Sequence, residues 1–207
     1  DMVMAFWNAP LKDQRHAYNA ILAALAMQKM SEGLRHDFAA AGFPEVNIGI
    51  GVNTGPMNVG DMGSNFRRAY TVLGDSVNLG SRLESVTKFY GVKILVGESS
   101  YAQAPEFLYR RVDSIVVKGK SEPVTVYEPV CLLSEASASR KERVSRFNEA
   151  VGYYCAQQWD ASADILRELL AQDPERKLYQ LYLERIASLR DTDLGVGWSG
   201  VFEHANK

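Results

Sequence analysis

The run Thr71-Val-Leu-Gly-Asp-Ser-Val-Asn-Leu-Gly-Ser-Arg-Leu-Glu84 constrains this chain more than any other stretch. A short β-forming segment meets Gly74 and Asp75, and an apolar period of three and four residues begins at once. The pattern predicts a strand over 68–73 and a helix over 75–90, with Asp75 as the N-cap. Leu79, Leu83, Val86 and Tyr90 form the stripe that buries this helix. Asn78 and Arg82 stand four residues apart beside that stripe, a fit for the rim of a cleft. Two solvated polar residues on a capped amphipathic helix would have the same spacing, so the run alone leaves both readings open.

The remaining pattern alternates strand and helix signals. Met2 to Trp7 reads as an apolar strand closed by Asn8-Ala-Pro10. Residues 12–41 are Ala-rich and almost free of breakers, which predicts a long helix stopped by Gly42-Phe-Pro44. Its expected buried face is Ala17, Ile21, Ala24, Leu25, Met27, Met30, Leu34 and Phe38. Val46 to Val52 reads as a strand, and Gly60-Asp-Met-Gly-Ser-Asn-Phe66 as a protruding hairpin tip. A strand over 92–97, a helical turn near 99–103 and strands over 107–117 and 123–129 follow. Helices with several hairpin-linked strands point to an α+β sandwich, a mostly antiparallel sheet with helices on one face.

Composition limits the options. With 207 residues, 46% of them hydrophobic, the chain can bury one sizeable core or one core plus a small second unit. A net charge of −2 gives no support to nucleic-acid binding. Cys131 and Cys155 lie far apart and make neither a metal-ligand pair nor a disulfide framework, so a cytoplasmic setting is the default. No run approaches the roughly 20 apolar residues of a membrane span. The chain starts at Asp1 within a strand-like run, and is expected to be a fragment.

Four segments together carry a resemblance: Asp1-Met-Val-Met-Ala-Phe-Trp7, Ile48-Gly-Ile-Gly-Val-Asn-Thr-Gly55, Tyr70 to Glu84, and Val117-Lys-Gly-Lys120. In order and approximate spacing they resemble the class III nucleotidyl cyclase catalytic domain, over roughly residues 1–130. The similarity is to bacterial adenylate cyclases whose catalytic domain follows a membrane-bound sensor region. The resemblance implies a ferredoxin-like cyclase sandwich over 1–131, lacking its first strand and helices. A linker over 132–143 and a small helical segment over 144–207 would follow. It also implies conversion of ATP to 3′,5′-cyclic AMP and pyrophosphate under two Mg²⁺ or Mn²⁺ ions per active site.

Residue by residue, Asp1 resembles a metal-ligating aspartate, a hard oxygen ligand of the kind these ions need. The first metal aspartate and a base-reading lysine of the family would lie upstream, so the chain as given is expected to be inactive. Arg82 resembles the arginine that meets charge on the α-phosphate in the transition state. Asn78 would hold the ribose, and Lys118 the terminal phosphates. Thr71 stands where the purine is read. Mammalian-type adenylate cyclases carry Asp there and guanylate cyclases tend to carry Cys, so threonine favours ATP over GTP. Pro56 stands where some mammalian relatives carry a phosphate-binding arginine. His16, His36 and His204 show no metal spacing and receive no role.

Because the family draws its metal aspartates and its Asn/Arg/Lys set from facing domains, the resemblance implies a head-to-tail homodimer with shared sites. An upstream sensor in a membrane-anchored parent, with this domain cytoplasmic, belongs to the same expectation. Past the linker, Ala150, Tyr153, Trp159, Leu166 and Pro174 resemble one tetratricopeptide repeat. Gln157 stands where that motif prefers Gly, and Ser162 where it prefers Ala. Three rival readings remain: a guanylate cyclase, a non-catalytic nucleotide-binding homologue acting by dimerisation, and a protein-interaction module in the helical tail.

Overall fold

The computed structural model describes residues 2–44, 46–64, 67–116, 123–195 and 197–201. Asp1 and Lys118 lie outside the described residues, as does the hairpin tip at Asn65 and Phe66. The chain divides into two compact units. The first holds residues 1–87 and 93–105, the second 88–92 and 106–207.

The first unit opens with α1 (His16–Ala40) and β1 (Ile50–Val52). The hairpin β2 (Asn58–Ser64) and β3 (Arg67–Leu73) follows, then α2 (Asp75–Tyr90), β4 (Ile94–Gly97) and α3 (Glu98–Gln103). β2 and β3 are antiparallel, whereas β1 and β4 are parallel with Gly51 opposite Leu95. α2 lies in the connection between β1 and β4, as parallel pairing requires. Helices with parallel and antiparallel strand pairs place the chain in the α+β class. Among the described residues no helix is long and apolar enough to cross a membrane.

Three expectations change. Residues 2–7 form no strand, and Met2, Val3 and Met4 are exposed. An apolar run becomes a strand only when a neighbour completes its backbone ladder, and no described residue does so. The buried face of α1 is Ala17, Ala20, Ile21, Ala24, Gln28 and Ser31, while Met27, Met30 and Leu34 face outward. Gln28 turns inward because its amide has work there: Nε2 donates to the Ile48 carbonyl at 2.7 Å and lies 3.4 Å from the Lys93 carbonyl. That bond engages the backbone before β1, which begins only at Ile50. Finally, Asp75 is the first helical residue rather than the cap. The Gly74 carbonyl accepts the first bonds, from the Val77 and Asn78 amides. A carboxylate in that first turn still suits the helix dipole.

The second unit contains the last residues of α2, the hairpin β5 (Phe107–Ile115) and β6 (Val124–Leu132), and three helices. These are α4 (Ala138–Cys155), α5 (Trp159–Gln172) and α6 (Lys177–Leu189). α4 starts inside the stretch expected as linker, with the Ser137 hydroxyl accepting from the Arg140 amide as its N-cap. Asn148 on α4 acts as a strand would. Its Oδ1 accepts from the Arg111 amide at 2.9 Å, and its Nδ2 donates to the Tyr109 carbonyl at 3.2 Å. Both backbone groups belong to β5, so α4 is joined to the hairpin by ladder-like bonds as well as apolar packing.

Gln157 and Ser162 have distinct local roles in this unit. Gln157, in the α4–α5 turn, has φ +57°, a conformation that glycine adopts without strain. Ser162 is fully buried, and its hydroxyl donates to the Ala150 carbonyl at 2.8 Å. Phe147, Tyr154, Tyr179 and Tyr182 build an aromatic core, joined by Trp159 and Trp198 at ring separations of 5.6 and 5.1 Å from Tyr154. Glu128 on β6 receives Arg110 and Arg176 together. Burial opposes its charge, but the two guanidiniums outweigh that and hold the carboxyl below its ordinary 4.5.

Candidate active site

The first unit brings α2 against β1 almost without side chains between them. A Cβ built at Gly51 would lie 2.5 Å from the Glu84 amide nitrogen and closer still to the Gly80 carbonyl oxygen. Both are α2 backbone. A Cβ at Gly49 would collide with the Thr87 hydroxyl, and one at Gly55 with the Ser76 hydroxyl. Glycine within a strand pattern marks such an approach of backbone to backbone. The segment Ile48 to Gly55 is therefore a seat for α2, with Ile50 and Val52 supplying the strand and the glycines the clearance.

Asn53 fixes the helix along its axis. Its Nδ2 donates to the Ser76 carbonyl at 2.9 Å, in the first turn of α2. Its Oδ1 occupies the space a side chain at Gly97 would need. Next to it, the Thr54 and Ser100 hydroxyls share a hydrogen bond of 2.8 Å, which ties the end of the seat to α3.

On this fixed helix Leu79, Leu83 and Thr87 are buried, Asn78 is exposed and Arg82 half-buried. Four residues of helix separate the amide and the guanidinium by about 6 Å along the axis. They flank the buried stripe, as a pair at a rim must. Thr71 lies on β3 opposite Gly60 of β2 and is half-buried. One residue, Gly74, separates β3 from α2, so Thr71, Asn78 and Arg82 come from one continuous strand–turn–helix unit. A guanidinium presents a planar fork of donors to phosphate oxygens, and an amide both donates and accepts, so the unit suits a phosphorylated, hydroxyl-bearing ligand.

The sequence reading named these three side chains but missed what holds them. Gly49, Gly51, Gly55 and Asn53 are as much part of the site, and the alternation of glycine with Ile48, Ile50 and Val52 was the available signal. Among the described residues no three His, Cys, Asp or Glu side chains group as a metal site. Those residues do not by themselves fit a metal pair, and Asp1 lies outside them.

This arrangement of glycine-lined strand, hairpin and Asn/Arg helix can be set beside known proteins. Residues 1–128 match the adenylate and guanylate cyclase catalytic domain family. The chain belongs to this family. Adenylate cyclase 1 of Rhizobium meliloti is 38% identical over 131 residues, covering 63% of this chain and 20% of that protein. The adenylate cyclase of Anabaena cylindrica is 38% identical over 133 residues, covering 62% and 26%. The cyclase chain thus spans about a quarter or less of the length of these curated relatives. Among solved structures, the adenylyl cyclase CyaB from P. aeruginosa superposes with a TM-score of 0.55 at 31% identity, covering 64% of this chain and 68% of that one. The guanylyl cyclase Cya2 gives 0.53 at 26%, covering 62% and 65%. The cyclase match stops at residue 128, before α4, α5 and α6.

Proposed function

We propose that this cyclase domain makes 3′,5′-cyclic AMP and pyrophosphate from ATP. The ribose 3′ oxygen, losing its proton, forms a bond to the α-phosphorus. The bond from that phosphorus to the bridging oxygen of the β-phosphate breaks, and pyrophosphate leaves. Arg82 meets the charge that builds on the non-bridging α-phosphate oxygens, and Asn78 holds the ribose at the angle of attack. Thr71 hydrogen-bonds the purine, and Lys118 contacts the terminal phosphates. Two Mg²⁺ or Mn²⁺ ions per site, with Asp1 as one ligand, belong to this reading through the family resemblance alone. The observation that best supports it is the seating of the Asn78/Arg82 helix on bare strand backbone, which gives both groups the fixed positions that in-line attack demands.

In this reading two copies face each other head to tail and share two sites, under an upstream sensor in a membrane-anchored parent. Complementation tests it. Full-length parent carrying Asp1→Ala is mixed with parent carrying Arg82→Ala, each inactive alone, and cyclic AMP is measured with Mn²⁺. With random pairing, half the dimers are mixed and each has one intact site, so recovery approaches about a quarter of wild type. No recovery beside an active wild type would overturn the shared site. Guanylyl cyclases among the structural relatives favour GTP as the second reading. Wild type that turns over GTP faster than ATP would establish it.

A further inference from the structure

The glycine-lined segment and Asn53 hold α2 towards its N-terminal end, but the other end, Tyr90, is held from elsewhere. Tyr90 is fully buried, and its hydroxyl donates to Asp113 Oδ2 of β5 at 2.6 Å. The same carboxylate oxygen receives Arg185 Nη1 of α6 at 2.8 Å, and both side chains of this ion pair are 2% exposed or less. The Arg185 guanidinium also lies over the Tyr182 ring, 5.5 Å from its centroid, and Tyr182 donates to the Val112 carbonyl at 2.9 Å. Burial, reinforced by the Asp113 charge, pushes the Tyr90 phenol well above its ordinary 10, so it stays a donor.

A second attachment lies two residues before Tyr90. Lys177 Nζ, from the first residue of α6, donates to the Lys88 carbonyl at 3.1 Å. Lys177 also covers Gly91, where φ is +65° and a Cβ would lie 2.7 Å from the lysine Cβ. α6 therefore reaches the last turn of α2 twice, once by way of the Asp113 carboxylate of β5 and once directly at the Lys88 carbonyl.

We propose that α6 clamps the C-terminal end of α2, and that Tyr90, Asp113, Arg185 and Lys177 are positioning residues for Asn78 and Arg82. Arg82 lies eight residues, about 12 Å, upstream of Tyr90 on the same helix. A helix transmits a tilt at one end over that distance, and a displacement of about 1 Å at a reacting group costs on the order of a hundredfold in rate. The segment past the family match thus acts on the reaction through the helix that carries the candidate residues. This functional arm rests on the cyclase reading; the clamp itself does not.

The test uses the full-length parent with Tyr90→Phe, which keeps the ring and removes the donor, and separately Lys177→Ala. Amide hydrogen exchange over 78–90 is read beside kcat and KM. The clamp predicts exchange at least about fivefold faster through the last turns of α2, with α4 and α5 still protected. It also predicts kcat lowered about tenfold with KM held. Unchanged α2 exchange in both variants overturns the clamp, and faster exchange with unchanged kcat overturns the positioning role. If Tyr90→Phe exposes α4 and α5 as well, Lys177→Ala decides by the same criteria. A wild type silent with both ATP and GTP sinks the cyclase reading, while the exchange comparison still decides whether α6 holds α2.

Discussion

Replacing Gly51 with alanine tests the seat beneath α2 directly. The new methyl group would stand 2.5 Å from the Glu84 amide nitrogen, and an ordinary contact begins at 3.4 Å. Clearing that nitrogen alone takes about 0.9 Å of retreat or local tilt and the closer Gly80 carbonyl oxygen demands more, because neither obstructing atom is a side chain that can rotate away. Overpacking of this kind costs about 1 to 3 kcal/mol, which at 2 to 4 °C per kcal/mol is a drop of about 2 to 12 °C in Tm. The larger effect falls on turnover. A shift approaching 1 Å at Asn78 and Arg82 lowers kcat by on the order of a hundredfold in a protein that remains folded. Thermal unfolding by circular dichroism and cyclic AMP production by the full-length parent give the two readings. Gly33→Ala serves as the control, since nothing lies within 4 Å of a Cβ there. In that helix interior alanine gains about 0.5 to 1 kcal/mol over glycine. Gly51→Ala with wild-type Tm and wild-type kcat would refute the reasoning about the seat.

Arg82→Ala should lower cyclase activity by on the order of a hundredfold to a thousandfold with unchanged Tm; activity within tenfold of wild type removes its assigned role. Asn148→Ala leaves two β5 backbone groups without their partner and should cost about 1 to 3 kcal/mol in denaturant unfolding, whereas a cost near zero would mean water replaces the amide fully. Glu128 has a folded pKa below its ordinary 4.5, so its contribution is present above that pH and is lost as pH falls through the folded value. Stability should therefore decline below about pH 4.5, and Glu128→Gln should flatten that part of the profile; an equally steep decline in the variant would contradict the assignment. Truncation after Leu133 removes Asn148, Arg176 and Arg185 together. It should leave Glu128 and Asp113 without those guanidiniums and give a chain that fails to unfold cooperatively, whereas a cooperative, wild-type transition would make the helices dispensable.

The helix α2 was legible because three independent signals coincide on it: a glycine turn, an acidic first residue and an apolar stripe at helical spacing. The β5 and β6 strands were legible for a similar reason, as β-branched and aromatic runs on either side of a polar turn. The buried face of α1 was not. Periodicity weighs apolar residues alone, and Gln28 is buried for its hydrogen bond to the Ile48 carbonyl. Met27 and Met30 match the stripe by chemistry yet face outward. Thr71, Asn78 and Arg82 could be named from their residue types and from the family pattern. The glycine alternation over 48–52 signals a close backbone approach, but the partner segment some 30 residues away, and the bond Asn53 makes to it, are encoded by no local pattern. The same holds for Asp113 and Arg185, whose pairing joins positions 72 residues apart.

Gly49, Gly51 and Gly55 also determine how α2 is able to move. Two layers separated by side chains have a soft cushion, since rotamers can turn and let the layers breathe along their normal. Here Gly51 meets the backbone of α2, and Gly49 and Gly55 meet chiefly the short hydroxyl side chains of Thr87 and Ser76, so little compliant material is left to compress. The interface is stiff towards approach, and at Asn53 it is latched against travel along the helix axis. The compliance that the seat leaves is rotation about that latch, which the hydrogen bonds at Tyr90 and Lys88 oppose at the far end. Mechanically α2 is a lever with its pivot near Ser76, and Arg82, lying farther from the pivot than Asn78, sweeps the longer path for any given turn of it.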